Sequence, residues 1–249
     1  MPAHAIRTMV LCFGLLLSFC APALAEQVML DTSNPPFMYG AEGKVLGVYP
    51  AILAEAFKKM GVPLEMEAVP WKRAIAAIDE GKAGVGGIYK NEERLKKYDY
   101  SDKLFDEVIQ VYVRKGAEFA FSGVPSLIGK KVGVLRGWSY GDDFDAAAKA
   151  GKIITDEAEG DAQNFAKLAA GRIDAVLAIR ESGDINMASP DMAKAVAALP
   201  TPLSSSPSFL AFNKSAKKTD VLAKFNAAIA QMKADGSLDA LVKSILSAK

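Results

Sequence analysis

Short apolar runs alternate with amphipathic segments along most of this 249-residue chain, and that alternation confines it to α/β folds in which helices cover a sheet. Val28, Met29 and Leu30 read as a first strand, and the turn-rich Asp31-Thr32-Ser33-Asn34-Pro35-Pro36 as the loop at its carboxyl end. The segment 49–60 carries Ile52, Leu53, Ala56, Phe57 and Met60 on one helical face and stops at Gly61. Residues 64–69 predict a strand, 71–80 a helix ending at Gly81, and 83–89 a further strand.

A similar unit returns in the second half. Ile78-Asp79-Glu80-Gly81-Lys82-Ala83-Gly84-Val85-Gly86 parallels Leu168-Ala169-Ala170-Gly171-Arg172-Ile173-Asp174-Ala175-Val176. In both, a helix stops at a glycine, a basic residue follows, and a small-residue strand begins. Such joints recur throughout α/β proteins, but one per half predicts two similar lobes. The strand at 108–113 and a second at 209–212, placed after a loop over 200–207, read as strands crossing between them. Residues 26–112 and 208–249 would then form lobe one and 113–207 lobe two, with a small-molecule site in the cleft and closure by hinge motion. Beyond Thr219, Val221, Leu222, Phe225, Ile229 and Met232 recur at helical spacing, followed after Asp235-Gly236 by Leu238, Leu241, Val242 and Ile245. This tail is expected to pack on lobe one.

Both cysteines, Cys12 and Cys20, and the single histidine, His4, lie in the first twenty residues. That segment has a basic start at Arg7, an apolar core of roughly a dozen residues, shorter than the roughly 20 of a membrane-spanning helix, and the small-residue ending Ala23-Leu24-Ala25. It reads as a secretory signal peptide cleaved after Ala25. A lipid anchor at Cys20 is the rival reading, opposed by bulky Phe19 beside it. The mature chain would hold neither Cys nor His, which excludes thiolate nucleophiles, imidazole bases and ordinary zinc sites. Without Arg7, 29 basic residues face 29 acidic ones, so no nucleic-acid or membrane-surface partner is indicated. A soluble, monomeric, periplasmic protein without disulfides, metal or cofactor is expected.

With that layout, the chain resembles the type II periplasmic solute-binding proteins of amino-acid ABC transporters, the extracellular solute-binding family 3. The markers are Pro35-Pro36-Phe37 with Gly43 and Gly47, the Trp71 helix ending at Gly81, and Glu93-Arg94 followed by Tyr100-Ser101. Further markers are Gly129-Lys130-Lys131-Val132-Gly133-Val134 with Gly137, Gly171-Arg172-Ile173-Asp174, and Asp235-Gly236. The resemblance implies a two-lobed fold, each lobe a central sheet flanked by helices, joined by two crossing strands. It implies that Arg94 pairs in bidentate fashion with a ligand carboxylate. By charge pattern alone, Arg94 would be one solvated residue in the run 90–97.

Ser139, after Gly137, is expected to open a helix over 143–148 and to hold the same carboxylate from lobe two, or else to serve simply as its N-cap. Asp31 is expected either to receive an ammonium group or to form an Asx turn. Trp71, Tyr89, Trp138 and Tyr140 are candidate cleft aromatics. Asn34 stands where the family usually has an aromatic residue, just before the Pro-Phe element, and Asn34 and Phe37 are candidate ligand contacts. The strand over 83–89 and its turn run about two residues short, bringing Tyr89 near positions usually held by small hydroxyl residues, and the helix after Gly47 lacks the family's frequent Asp. Five residues beyond Asp174, where the family usually has an ammonium-binding Asp, stands Ile179, followed by Arg180 and Glu181. Glu181, Asp184 or Asp31 would have to take over, or the ligand is not an ordinary α-amino acid, since a buried ammonium without a partner is costly.

The function that follows is a periplasmic substrate-binding component that captures an amino acid or related carboxylate by lobe closure and serves an inner-membrane permease. The alternatives are a cyclohexadienyl-dehydratase-like enzyme using Glu181 or Asp184 as acid, and a free ligand-sensing partner of a membrane receptor.

Overall fold

The computed structural model describes residues 24–247; the expected signal peptide lies outside them except for its last two residues. The chain runs through β1 (Glu26–Asp31), β2 (Ser33–Asn34), β3 (Met38–Ala41), β4 (Lys44–Leu46), α1 (Val48–Met60), β5 (Leu64–Val69), α2 (Trp71–Asp79), β6 (Gly84–Ile88), α3 (Glu92–Lys97), β7 (Tyr98–Tyr100) and β8 (Phe105–Arg114). It continues through β9 (Lys131–Leu135), α4 (Asp142–Lys149), β10 (Ile154–Ala158), α5 (Asp161–Ala169), β11 (Ala175–Ile179), α6 (Arg180–Met187), α7 (Pro190–Ala195), β12 (Val196–Ala198), β13 (Ser204–Asn213), α8 (Thr219–Ala234) and α9 (Ser237–Leu246).

Every residue of β6 and of β11 is buried, as expected of strands covered by helices on both faces. In lobe one β1 pairs in parallel with both β5 and β6; in lobe two β9 pairs in parallel with β10 and β11. The strands β8 and β13 run antiparallel to each other, with Ser204 opposite Ile109 and Ser208 opposite Phe105. Beyond that pairing β8 continues along β11, and β13 shifts register at Phe209/Leu210 to continue along β6. The two lobes are therefore strung on β8 and β13. The polar stretch Ser204-Ser205-Ser206-Pro207 belongs to β13, which corrects the expected loop over 200–207. Serine has little strand preference of its own, and here the partner strand β8 supplies the pairing.

Helix α1 ends at Gly61, which adopts the left-handed conformation (φ 64°) and returns its N–H to the Lys58 carbonyl at 3.1 Å, a glycine C-cap. Its buried face, Ile52, Leu53, Ala56 and Phe57, receives α8 and α9, and the Phe57 and Phe225 rings lie 5.7 Å apart. The tail thus packs on lobe one as its apolar spacing predicts. Among the described residues no helix is long and apolar enough to cross a membrane.

Candidate functional site

The site grows from the start of a short helix. Asn91 is the N-cap of α3, its side-chain oxygen accepting the Arg94 N–H at 2.8 Å. In that helix Glu92, Glu93, Lys96 and Lys97 stay exposed while Arg94 turns inward and is only 9% exposed. The solvated character of the charge run holds for its neighbours and fails for Arg94. The guanidinium donates through Nη1 to the Tyr89 carbonyl at 3.2 Å and through Nη2 to the Gly137 carbonyl at 3.5 Å. Among the described residues it forms no ion pair with a carboxylate. Burial pulls its pKa down, and nearby Tyr100, Tyr98 and Asp145 pull it up; a guanidinium stays charged regardless.

The turn after β9 closes the site from lobe two. Asn91 donates its amide to Ser139 Oγ at 3.1 Å, and the Glu92 N–H reaches the Asp142 carboxylate at 3.2 Å. Trp71, Gly87, Tyr89, Arg94, Trp138 and Ser139 enclose a cavity of about 10 Å³, no more than the space of a single water. The Trp138 ring sits 5.8 Å from Trp71 and 6.1 Å, edge-on, from Tyr89. Gly87 is required in this wall: its φ is +75°, and a Cβ there would lie 2.6 Å from the Tyr49 ring. Behind that wall Asp31, at the end of β1, accepts the Trp138 Nε1–H at 3.0 Å and the Ser33 N–H at 3.1 Å. It therefore forms the Asx turn and faces lobe two at once. Burial pushes its pKa up, and the bonds from Trp138 and Ser33 hold it back.

Four candidate positions lie elsewhere, and Ser139 does not cap the helix that follows it. Phe37 is wholly buried in lobe one, its ring 5.7 Å from Tyr49 and 5.6 Å from Phe105. Tyr140 turns into lobe two, where its hydroxyl accepts the Leu135 N–H at 2.8 Å and its ring packs on Phe144. Asn34 meets lobe two through α6 rather than through the Arg94 cavity, accepting the Ser182 hydroxyl at 2.8 Å. Glu181, on α6, borders a groove of about 620 Å³ with Pro36, Asp184 and Ile185 rather than the Arg94 cavity. Helix α4 begins at Asp142 after Gly141, so Ser139 is not its N-cap. The Ser139 hydroxyl donates to Asp145, and the Tyr140 N–H is taken by the same carboxylate at 3.0 Å. The first turn of α4 carries Asp142, Asp143 and Asp145, which disfavours an anion there.

Three residues of structural weight escape a reading of the sequence. Asn91 orients Arg94, as described. Glu107, on β8, is 1% exposed and receives hydroxyl hydrogen bonds from Tyr49 and Tyr89; burial, with the charge of Glu181 adding, pushes its pKa well up. Asp161, the first residue of α5, is 4% exposed. Burial, with the charge of Asp31 adding, pushes its pKa up to about 7. Its folded-state pKa is raised, so its contribution to stability is fully present below the unfolded value and is lost as pH rises through about 7. The unliganded protein is expected to lose stability between pH 4 and 7, by up to about 1.4 kcal/mol per pH unit from this group. Denaturant titrations across that range check this, and Asp161→Asn should flatten the slope. Among the described residues no cluster of His, Cys, Asp and Glu could hold a metal ion.

Two lobes strung on a pair of crossing strands, meeting over a buried arginine walled by aromatic rings, define a two-lobed solute-binding architecture. The chain belongs to the bacterial extracellular solute-binding proteins, family 3, whose model matches residues 27–248. It is 31% identical over 221 residues to the L-cystine-binding protein TcyJ of Escherichia coli K12, covering 86% of this chain and 79% of that one. Among solved structures, an ancestral arginine-binding protein bound to arginine is 29% identical with a TM-score of 0.74, covering 88% of this chain and 97% of that one. A histidine kinase sensor domain with similarity to periplasmic binding proteins, 19% identical, shares the fold with a TM-score of 0.78 over 90% of this chain and 96% of its own.

Proposed function

We propose that this chain is the periplasmic binding component of an ABC transporter, capturing an amino acid or related carboxylate-bearing solute between its lobes and presenting it to an inner-membrane permease. The lobes divide as residues 26–112 with 208–249 against 113–207. The observation that carries the reading is Arg94: a guanidinium buried at the cleft whose hydrogen bonds go to the backbone carbonyls of Tyr89 and Gly137. Burying a cation without a countercharge is costly, and a ligand carboxylate supplies that charge in the bidentate geometry a guanidinium favours. Trp71, Tyr89 and Trp138 enclose the ligand's body, Ser139 and Asn91 border its carboxylate, and Asp31 lies beyond the indole of Trp138. Admitting a solute to so small a cavity requires the lobes to part, with β8 and β13 as the hinge. Relatives that bind L-cystine and arginine support the amino-acid class.

Mass spectrometry of the protein after native extraction tests this reading. A small carboxylate-bearing solute, released on denaturation at one per chain, is the expected result. An empty spectrum, together with no thermal upshift for any amino acid, amine or small organic acid, would overturn it.

A further inference from the structure

A carboxyl group lies beneath the wall of the Arg94 cavity, on one of the two strands that join the lobes. Glu107 stands on β8 opposite Ser206, in the stretch where β8 and β13 pair, and it is almost wholly buried. Its two oxygens accept hydroxyls from Tyr49 of α1 and from Tyr89, the residue after β6. Burying a carboxyl costs free energy that an apolar side chain at this place on β8 would avoid, and the two hydroxyls offset part of that cost. Tyr49 is itself immobilised in the core of lobe one, its ring stacked on Phe37 and pressed against Gly87. Tyr89 has further contacts: its ring forms part of the cavity wall, edge-on to Trp138 at 6.1 Å, and its carbonyl takes Arg94 Nη1 at 3.2 Å.

We propose that Glu107 is a positioning residue for solute binding: from the strand that joins the lobes it holds the Tyr89 ring against Trp138 and, through the carbonyl of the same residue, the Arg94 guanidinium. Tyr89 is thereby fixed at both ends, its hydroxyl by Glu107 and its backbone beside Arg94. A ring packed only along its edge is free to turn about its side-chain torsions, whereas a hydroxyl tied to a buried carboxyl sets its far end, and such supporting hydrogen bonds decide how closely a site keeps its geometry. Tyr49 gives the carboxyl a fixed place by tying it to α1. Because Glu107 sits where β8 and β13 pair, the wall of the cavity takes its position from the hinge on which the lobes part. This role rests on the reading of the Arg94 cavity as the solute site.

Both tryptophans of the chain, Trp71 and Trp138, line this cavity, so intrinsic tryptophan emission reads the wall without a ligand, and calorimetry with L-arginine and L-cystine reads binding. Tyr89→Phe removes only the hydroxyl, and Glu107→Leu removes both acceptors at similar volume. Each is expected to shift the emission maximum in the same direction and to weaken whichever probe the wild type binds by about fivefold or more. The double variant should lose no more than about twofold beyond the weaker single variant, because both changes cut one contact. Glu107→Gln, which keeps an acceptor and a donor in place, should lie nearer the wild type than Glu107→Leu on both readouts. A Glu107→Leu protein that melts at a lower temperature but keeps wild-type emission and affinity has lost stability alone and overturns the proposal, as do losses that add in the double variant. Should Glu107→Leu not fold, Tyr89→Phe decides: unchanged emission and affinity overturn the role. If the wild type binds neither probe, emission still tests Glu107, and the missing binding counts against the amino-acid reading instead.

Discussion

A chain ending at Lys218 should not fold into the native two-lobed structure. Helices α8 and α9 bury Leu222, Phe225, Ile229, Met232 and Leu238, several of them directly over α1, where Phe225 meets Phe57. Each such side chain contributes about 1.5–3 kcal/mol when removed from water, so together they rival the whole net stability of a domain, about 5–15 kcal/mol. Their loss would also expose the apolar face of α1, with Ile52, Leu53 and Ala56, to solvent. Cutting the tail therefore removes the outer half of a core rather than an appendage. Thermal melting followed by circular dichroism checks the expectation. A truncated protein with a cooperative transition near that of the full chain would contradict it, and one that still melts but binds less would show the tail to serve the ligand alone.

Much of this fold is legible in the sequence because its period and punctuation agree. Helix α1 shows a helical stripe closed by Gly61, and β5 and α2 follow from alternation and from the break at Gly81. The crossing strand β13 is only half legible: Phe209 to Phe212 read as strand, whereas the serines before them have no strand preference and are extended because β8 lies alongside. Arg94 looks solvated by charge pattern, and only the pattern of Glu93-Arg94 with Tyr100-Ser101 singles it out. The helix that carries it starts at the cap Asn91, a local cue three residues upstream that the surrounding charges obscure, and its guanidinium is received by the Tyr89 and Gly137 carbonyls. The aromatic candidates divide on a matter that spacing does not encode. Trp138 and Tyr140 share a turn, yet one ring lines the cavity and the other fills lobe two against Phe144. Asp161 is the clearest omission. It follows Glu157 and Glu159 in an acidic stretch that reads as surface, and its burial arises from the apposition of Ser33, more than a hundred residues away. Ser139 shows the reverse error: a hydroxyl after a glycine suggests an N-cap, but Gly141 postpones the helix and Asp145 takes the local donors.

The consequence for function is that the cleft is built from two kinds of contact. Backbone-anchored residues, Asn91 and Gly87, fix the shape, while Arg94 carries a charge that no carboxylate among the described residues pairs with. A binding protein gains from such a mismatch, since the ligand recovers the cost only when the lobes have closed on it.

Replacing Arg94 strikes the centre of this account. Arg94→Ala removes the only charge proposed to pair with the ligand carboxylate, and stranding that carboxylate in the closed cleft should lower affinity by on the order of a hundredfold or more, about 3 kcal/mol. Arg94→Lys should recover part of this at most, because an ammonium keeps the charge and loses the planar two-pronged donor. The direct measurement is calorimetric titration of the wild-type protein against the L-amino acids, L-cystine and L-arginine among them, with the tightest ligand then titrated into Arg94→Ala. Saturable one-to-one binding of at least one of them, lost or reduced on the order of a hundredfold in the variant, is the predicted result. Wild-type protein that binds none of them, or an Arg94→Ala variant that binds as tightly as the wild type, would contradict it.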